Sequence, residues 1–153
     1  LVKEVTSYMF NNITTGITEI KKTSNNPISE IYDINLFLIK YLKNESVSPL
    51  YQLEKYYPLI HKEINKKQFD FITKSTTLSL KNGIKLGLFR KDIQIDFISR
   101  LYFKGMIGIR DLDTFPTKLY NPAKLKIDFI EYHLRAIVTE KGLKQLNHFI
   151  KKN

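Results

Sequence analysis

Apolar residues recur every three or four positions along nearly the whole chain. From Val2, the side chains of Val5, Met9, Ile13, Ile17 and Ile20 form one stripe, the spacing that gathers residues on a single face of an α-helix. "TSNNP", Thr23 to Pro27, ends it, because the residue before a proline is driven away from helical angles. The next segment, Ile28 to Leu42, is apolar almost all round: Ile31, Tyr32, Ile34, Leu36, Phe37, Leu38, Ile39 and Tyr41 leave no wide polar face. Such a helix has to be covered on several sides, so it is expected at the centre of the domain.

"NESVSP", Asn44 to Pro49, breaks the pattern again. Ser48 followed by Pro49 reads as a cap and a first helical residue, opening a short helix through Tyr57. Pro58 starts a long one, expected to run to about Lys85, with Ile60, Ile64, Phe71 and Leu78 on one face and Phe69, Ile72 and Leu80 widening it. A further helix is predicted from Ile95 to about Ile109, with Ile98, Leu101, Tyr102 and Ile109 apolar. "RDLDTFPTKLY" reads as a loop. Asn121-Pro122 repeats the cap-then-proline signal, and Ile127, Ile130, Leu134 and Ile137 follow at helical steps. Thr139 opens a last helix carrying Leu143, Leu146 and Ile150. No hairpin signal and no sustained alternation occurs. The expected fold is all-α, a single bundle of seven helices with no internal repeat.

Composition narrows the classes further. A chain of 153 residues suits one sizeable core. The absence of cysteine rules out a disulfide framework and a thiolate metal site, and suits the cytoplasm. No apolar run approaches the roughly 18 residues of a membrane helix, and no signal segment opens the chain. Leu1 already lies inside a periodic pattern, so it is not expected to be the natural start of the gene product. The net charge of +10 raises a nucleic-acid reading. Lysine supplies nearly all of it, however, scattered apart from pairs such as Lys21-Lys22, Lys66-Lys67 and Lys151-Lys152. With abundant isoleucine and asparagine, this is what AT-rich coding produces. A solvated basic surface is expected rather than a dedicated DNA face.

Motifs for chemistry are missing. His61, His133 and His148 fall on three different predicted helices, whereas zinc needs three or four converging ligands. There is no E-x-x-H or H-E-x-x-H pattern, no phosphate loop among the glycines, and no nucleophile elbow. No metal, cofactor or catalytic residue is therefore expected. What remains is an aromatic-rich interior, with 9 tyrosines, 10 phenylalanines and no tryptophan. Core packing accounts for most of these. Tyr32, Tyr41, Phe71, Tyr102 and Met106 could also surround an apolar cavity of the kind that binds ligands between helices. Asn35 is the polar residue in the most apolar helix, and a buried polar group needs a partner. The competing expectation is a solid core at ordinary packing density.

Two segments carry a resemblance. "NGIKLGLFRKDIQIDFISRLYF", Asn82 to Phe103, resembles the stretch joining two long helices in the regulatory domain of TetR-like transcriptional regulators. Gly87, Leu88, Phe89, Arg90, Asp92 and Ile93 match that pattern position by position. The family usually continues with Asp then Pro; Gln94 and Ile95 stand here, a weaker cap, though Asp96 still places a negative charge in the first turn. "EYHLRAIVTEKGLKQLNHFI", Glu131 to Ile150, resembles the C-terminal end of one branch of the family. In the turn itself, Gly87 can take the positive φ of a helix end, Phe89 can plug the core, and Asp92 can hold the chain for re-entry.

The resemblance implies an effector-binding and dimerisation domain over residues 1–153. The family's N-terminal helix-turn-helix, which reads the major groove, is absent, and Leu1 falls where the connecting helix after it begins. Operator DNA would then be reached only through that missing head. A small apolar or amphipathic effector would lie between the Val2–Ile20 helix, the Ile28–Leu42 helix and the two long helices flanking the turn. Met9, Ile13, Asn35, Tyr41, Phe71, Tyr102 and Met106 are the expected lining. A homodimer would use the fifth and sixth helices, Ile95 to Ile109 and Pro122 to Val138, as a four-helix bundle with their symmetry mates. Gly105 and Gly108 would let backbones approach, beside the stripe Ile127, Ile130, Leu134 and Ile137, part of which must face its own core. The alternative is a monomeric helical adaptor that binds a protein or peptide in a groove, with an enzyme third.

Overall fold

Asparagine caps and first-turn prolines set the helix starts. In the structure, a computed structural model that describes residues 1–42 and 48–152, α1 spans Val2–Thr23 and stops at the extended Ser24. Asn26 Oδ1 accepts the Ile28 N–H at 2.8 Å, and α2 runs Pro27–Leu42. The break read at residues 44–47 and the cap read at Ser48 lie outside what is described. α3 follows as Ser48–Tyr56 and α4 as Pro58–Lys85, with its proline in the first turn, where a missing N–H is harmless. α5 covers Ile95–Gly108, and Gln94 before it makes no side-chain cap bond, as its chemistry suggests. Asn121 Oδ1 accepts the Lys124 N–H at 3.0 Å to open α6, Pro122–Ile137. Thr139 Oγ1 accepts the Gly142 N–H at 3.1 Å to open α7, Glu140–Lys152. The described residues thus form an all-α bundle of seven helices.

The all-round apolar α2 is indeed central, packing on α1, α4, α6 and α7. Its Ile28 and Tyr32 join Leu80, Leu88, Phe89, Ile130, Leu134, Ile137 and Leu146 in one buried cluster. Truncating any of the large aliphatic side chains there to alanine is expected to cost about 2–5 kcal/mol. Among the described residues, no helix is long and apolar enough to cross a membrane.

The turn after α4 is a clamp. Gly87 takes φ +73°, reversing the chain so that Leu88 and Phe89 both point inward and are buried. Their N–H groups share the Gly83 carbonyl at 2.8 and 3.1 Å. The Phe89 ring lies so close to Gly83 that a Cβ there would stand 2.0 Å from it. The Arg90 N–H then donates to Ile137 O, and the Thr139 N–H to Leu88 O, both at 2.9 Å. These bonds form an isolated antiparallel bridge between Phe89 and Val138. Thr139 Oγ1 adds a bond to Gly87 O at 2.6 Å. Asp92 departs from expectation: it pairs with Arg90 at 3.2 Å on an exposed surface, a contact worth at most about 1 kcal/mol.

The expected dimer residues are corrected in part. Ile130, Leu134 and Ile137 are 0%, 1% and 2% exposed within the single chain, because α6 lies against α2. Ile127 packs on the same cluster. Gly105 does permit a close approach, but to Phe129 of its own α6, whose ring would stand 2.2 Å from an added Cβ. Gly108 alone of these residues faces open space.

Candidate ligand cavity

Flat rings in this bundle pair with one another and leave a gap beside α2. Tyr102 stacks on Phe129 at 5.8 Å and lies 4.7 Å from the His133 ring. Phe71 meets Phe10 edge-on at 6.4 Å. The gap is a cavity of about 70 Å³, roughly half the volume that admits a benzene ring in a protein core. Its walls are mostly aliphatic and aromatic. Ile17 comes from α1, Ile31, Ile34 and Leu38 from α2, Phe71, Ile72 and Leu80 from α4, Phe89 from the clamp, and Met106 from α5. Leu134 and Ile137 of α6 close it. Met106 is the wall residue best able to change shape, being unbranched and flexible.

One end is polar. Glu30, Ser75, Thr76 and Ser79 line it, and Lys21 of α1 reaches in from the side. Lys21 Nζ donates to Glu30 Oε1 and Ser79 Oγ at 2.7 Å each, and to Ser75 O at 3.3 Å. The Ser79 hydroxyl donates to the same Glu30 oxygen. This network ties α1, α2 and α4 together with charges balanced. Removing one partner of such a pair strands the other charge and costs about 3–5 kcal/mol when fully buried.

The opposite wall is polar but uncharged. Burial pushes the Tyr102 hydroxyl up to about 12, only partly offset by its bond from Asn35. Burial likewise pushes the His133 ring down to about 4. Both groups are neutral near pH 7. Asn35 is fully buried; its Nδ2 donates to Ile31 O at 2.8 Å and to Tyr102 Oη at 3.4 Å. Among the described residues its Oδ1 has no partner, and neither does the Tyr32 hydroxyl.

Of the expected lining residues, Phe71, Tyr102 and Met106 border the cavity. Asn35 reaches it only through Tyr102. Met9 and Ile13 of α1 are half-buried and do not border it; Ile17, two turns beyond Met9 and one beyond Ile13, does. Tyr41 is occupied elsewhere, its hydroxyl accepting from Asn12 Nδ2 at 3.4 Å. The lining residues missed include Ile17, Ile31, Ile34 and Leu38 on the apolar side and Glu30, Ser75, Thr76, Ser79 and His133 among the polar ones. Glu30 did carry a signal: it is one of only two acids in a helix otherwise apolar nearly all round, the other being Asp33.

The three histidines stay apart, His61 beside Asn65 at 3.3 Å, His133 in the cavity wall and His148 exposed. Among the described residues no three or more His, Cys, Asp or Glu side chains converge as a metal would need. No protein-family model, curated protein or solved structure matches the chain.

Proposed function

We propose that this chain is the effector-binding and self-associating domain of a TetR-like transcriptional regulator, acting on operator DNA through a helix-turn-helix head that it does not itself contain. The observation that carries this reading is where the cavity lies. It is bounded by Ile17 of α1 and by Glu30 and Ser79, the two side chains that hold Lys21 of α1. A molecule needing more room than about 70 Å³ has to displace groups that position α1. A ligand shifts such an element only by binding one arrangement better than the other, and this placement supplies the means. The two resembling segments also meet: the Phe89–Val138 bridge joins one to the other, a physical reason for them to occur together.

The test is a thermal-shift screen of small apolar and amphipathic molecules, followed by hydrogen exchange. A ligand at 100 times its Kd stabilises by about 2.7 kcal/mol, equivalent to a rise of about 5–10 °C for a domain this size. The expected hit also changes amide protection in the C-terminal half of α1. No stabilising compound, or hits that leave α1 unaffected, would overturn the reading.

Self-association is assigned to the outer face of α5 and α6, with Phe97 and Leu101 a turn apart at 61% and 53% exposed, Gly108 open, and Tyr132 of α6 at 76%. A two-fold dimer through one patch is the commonest oligomer. Leu101→Lys with Tyr132→Lys is expected to give a monomer in sedimentation with an unchanged melting curve, whereas Leu134→Asp should unfold the chain. A wild-type monomer at high concentration refutes the dimer.

The rival, a helical interaction module, draws on Tyr56, Tyr57 and Leu59, all exposed where α3 meets α4. It predicts protection of that corner by a protein partner and none of the cavity.

A further inference from the structure

One arginine stands without an acid. Arg90, Arg100 and Arg135 pair with Asp92, Asp96 and Glu131. Arg110, half-buried just past the end of α5, does not, and neither does the half-buried Lys126 of α6. Among the described residues the two side chains make no hydrogen bond or ion pair. Helix packing brings them together. Tyr102 of α5 meets Phe129 and His133 of α6, and Gly105 lies under the same Phe129 ring, so α6 runs back as α5 advances. The next turn along this crossing carries Arg110 on one helix and Lys126 on the other. Burial pushes the Arg110 guanidinium below its ordinary value. Burial, and then the nearby Arg110 charge, push Lys126 down as well. Two like charges partly withdrawn from water disfavour one another.

The groups that could neutralise them are engaged elsewhere. Asp111 accepts the Thr114 hydroxyl and the Asp113 N–H, the latter at 3.3 Å, and Asp128 pairs with Lys124 at 2.6 Å. The last carbonyls of α5 are taken by backbone: Gly105 O by the Ile109 N–H, Ile107 O by the Arg110 N–H and Gly108 O by the Asp111 N–H. The chemistry of the missing partner follows from charge and shape. Two uncompensated positive charges are balanced by a dianion. A guanidinium offers a planar fork to two oxygens of one group, and an ammonium offers a point charge to a third. A carboxylate has one charge and two oxygens; a phosphate group has enough of both. We propose that a phosphate dianion, free or as a monoester, binds between Arg110 at the end of α5 and Lys126 of α6. Neither residue borders the cavity, so this site goes beyond the effector reading and does not depend on it.

The experiment is an NMR titration of the chain with methyl phosphate, inorganic phosphate, dimethyl phosphate and acetate. Ionic strength is held constant with chloride, because a net charge of +10 attracts every anion. At about pH 7.5 methyl phosphate is a dianion, whereas dimethyl phosphate keeps the tetrahedral centre with a single charge. Methyl phosphate is expected to bind about tenfold or more tighter than dimethyl phosphate or acetate, moving the Arg110 Nε–H resonance. Arg110→Met/Lys126→Met keeps the apolar stems and should weaken that binding about tenfold or more. Lys151→Gln/Lys152→Gln removes the same charge from α7 and should leave it unchanged. Methyl and inorganic phosphate both support the site, and the tighter of the two tells an ester from free phosphate. Equal binding of dianion and monoanions overturns the dianion class. Tightest binding by dimethyl phosphate overturns it in favour of a nucleic-acid backbone. An equal loss in both double variants reports only the general surface charge and overturns the assignment to Arg110 and Lys126. No saturable binding of any phosphate overturns the site. In chloride alone the methionine variant is expected to melt no lower than the wild type; a fall of more than about 5 °C would show that the two cations already have partners, and also overturns it.

Discussion

Replacing Gly142 with alanine is expected to destabilise the fold by about 3 kcal/mol and lower the melting temperature by about 10 °C. An added Cβ would stand 2.1 Å from the Leu88 carbonyl oxygen and 3.1 Å from Val138 Cβ. A flexible side chain could swing away from such a contact; a backbone carbonyl cannot move so freely. Leu88 O is held by the Thr139 N–H at 2.9 Å and by Thr139 Oγ1 at 3.2 Å, so retreat loosens the bridge between the clamp and the start of α7. Gly108→Ala is the control. Nothing lies within 4 Å of its added methyl, and alanine is the better helix former, so that variant should match or slightly exceed the wild type. Chemical and thermal unfolding of both proteins checks the pair. A Gly142→Ala protein within 1 kcal/mol of wild type, on the scale of small core changes, would mean that the close approach is absent.

That bridge also marks the limit of what periodicity can disclose. The helix starts at Pro58 and Pro122 were legible because first-turn prolines and the Asn121 cap act locally, whereas α2 was read from Ile28, one residue after its start at Pro27. The central place of α2 was legible because a helix without a polar face has nowhere else to go. The Phe89–Val138 bridge was not, since two hydrogen bonds between residues far apart in sequence leave no alternating run. A stripe reveals which residues share a face but not which neighbour covers it. Gly105 was read as a place where backbones approach across a dimer, but the ring of Phe129 of the same chain lies against it. Ile130, Leu134 and Ile137 were correctly read as one face, and the chain's own core covers all three. The cavity's position followed from α2, and Phe71, Tyr102 and Met106 with it. Its polar end did not: Lys21, Glu30 and Ser79 look like solvated residues until three helices converge. Met9 and Ile13 share a face with Ile17, but only Ile17 is level with the gap.

Acid is expected to weaken the fold through His133, and by a measurable amount. Its ring lies against Tyr102 and Phe129, makes no hydrogen bond or ion pair among the described residues, and is held by burial at a pKa of about 4. In the unfolded chain the same ring titrates at about 6.5. Below that pH the unfolded chain takes up a proton that the folded chain refuses, so stability falls as the pH drops from about 6.5 to about 4 and stops falling below it. The gap between the two values corresponds to about 3 kcal/mol, or about 10 °C in melting temperature. His133→Phe keeps a flat ring in the wall and cannot be protonated. Carboxylates common to both proteins cancel in the difference between their stability curves. That difference should be constant above pH 7 and should shift against the wild type by about 3 kcal/mol between pH 6.5 and 4. Urea denaturation at half-unit steps of pH measures it, and the His133 ring carbon shift in NMR gives the folded pKa directly. Parallel curves across that window, or a ring that titrates near 6.5 in the folded protein, would show that His133 is solvated, and the neutral wall assigned to the cavity would then be wrong.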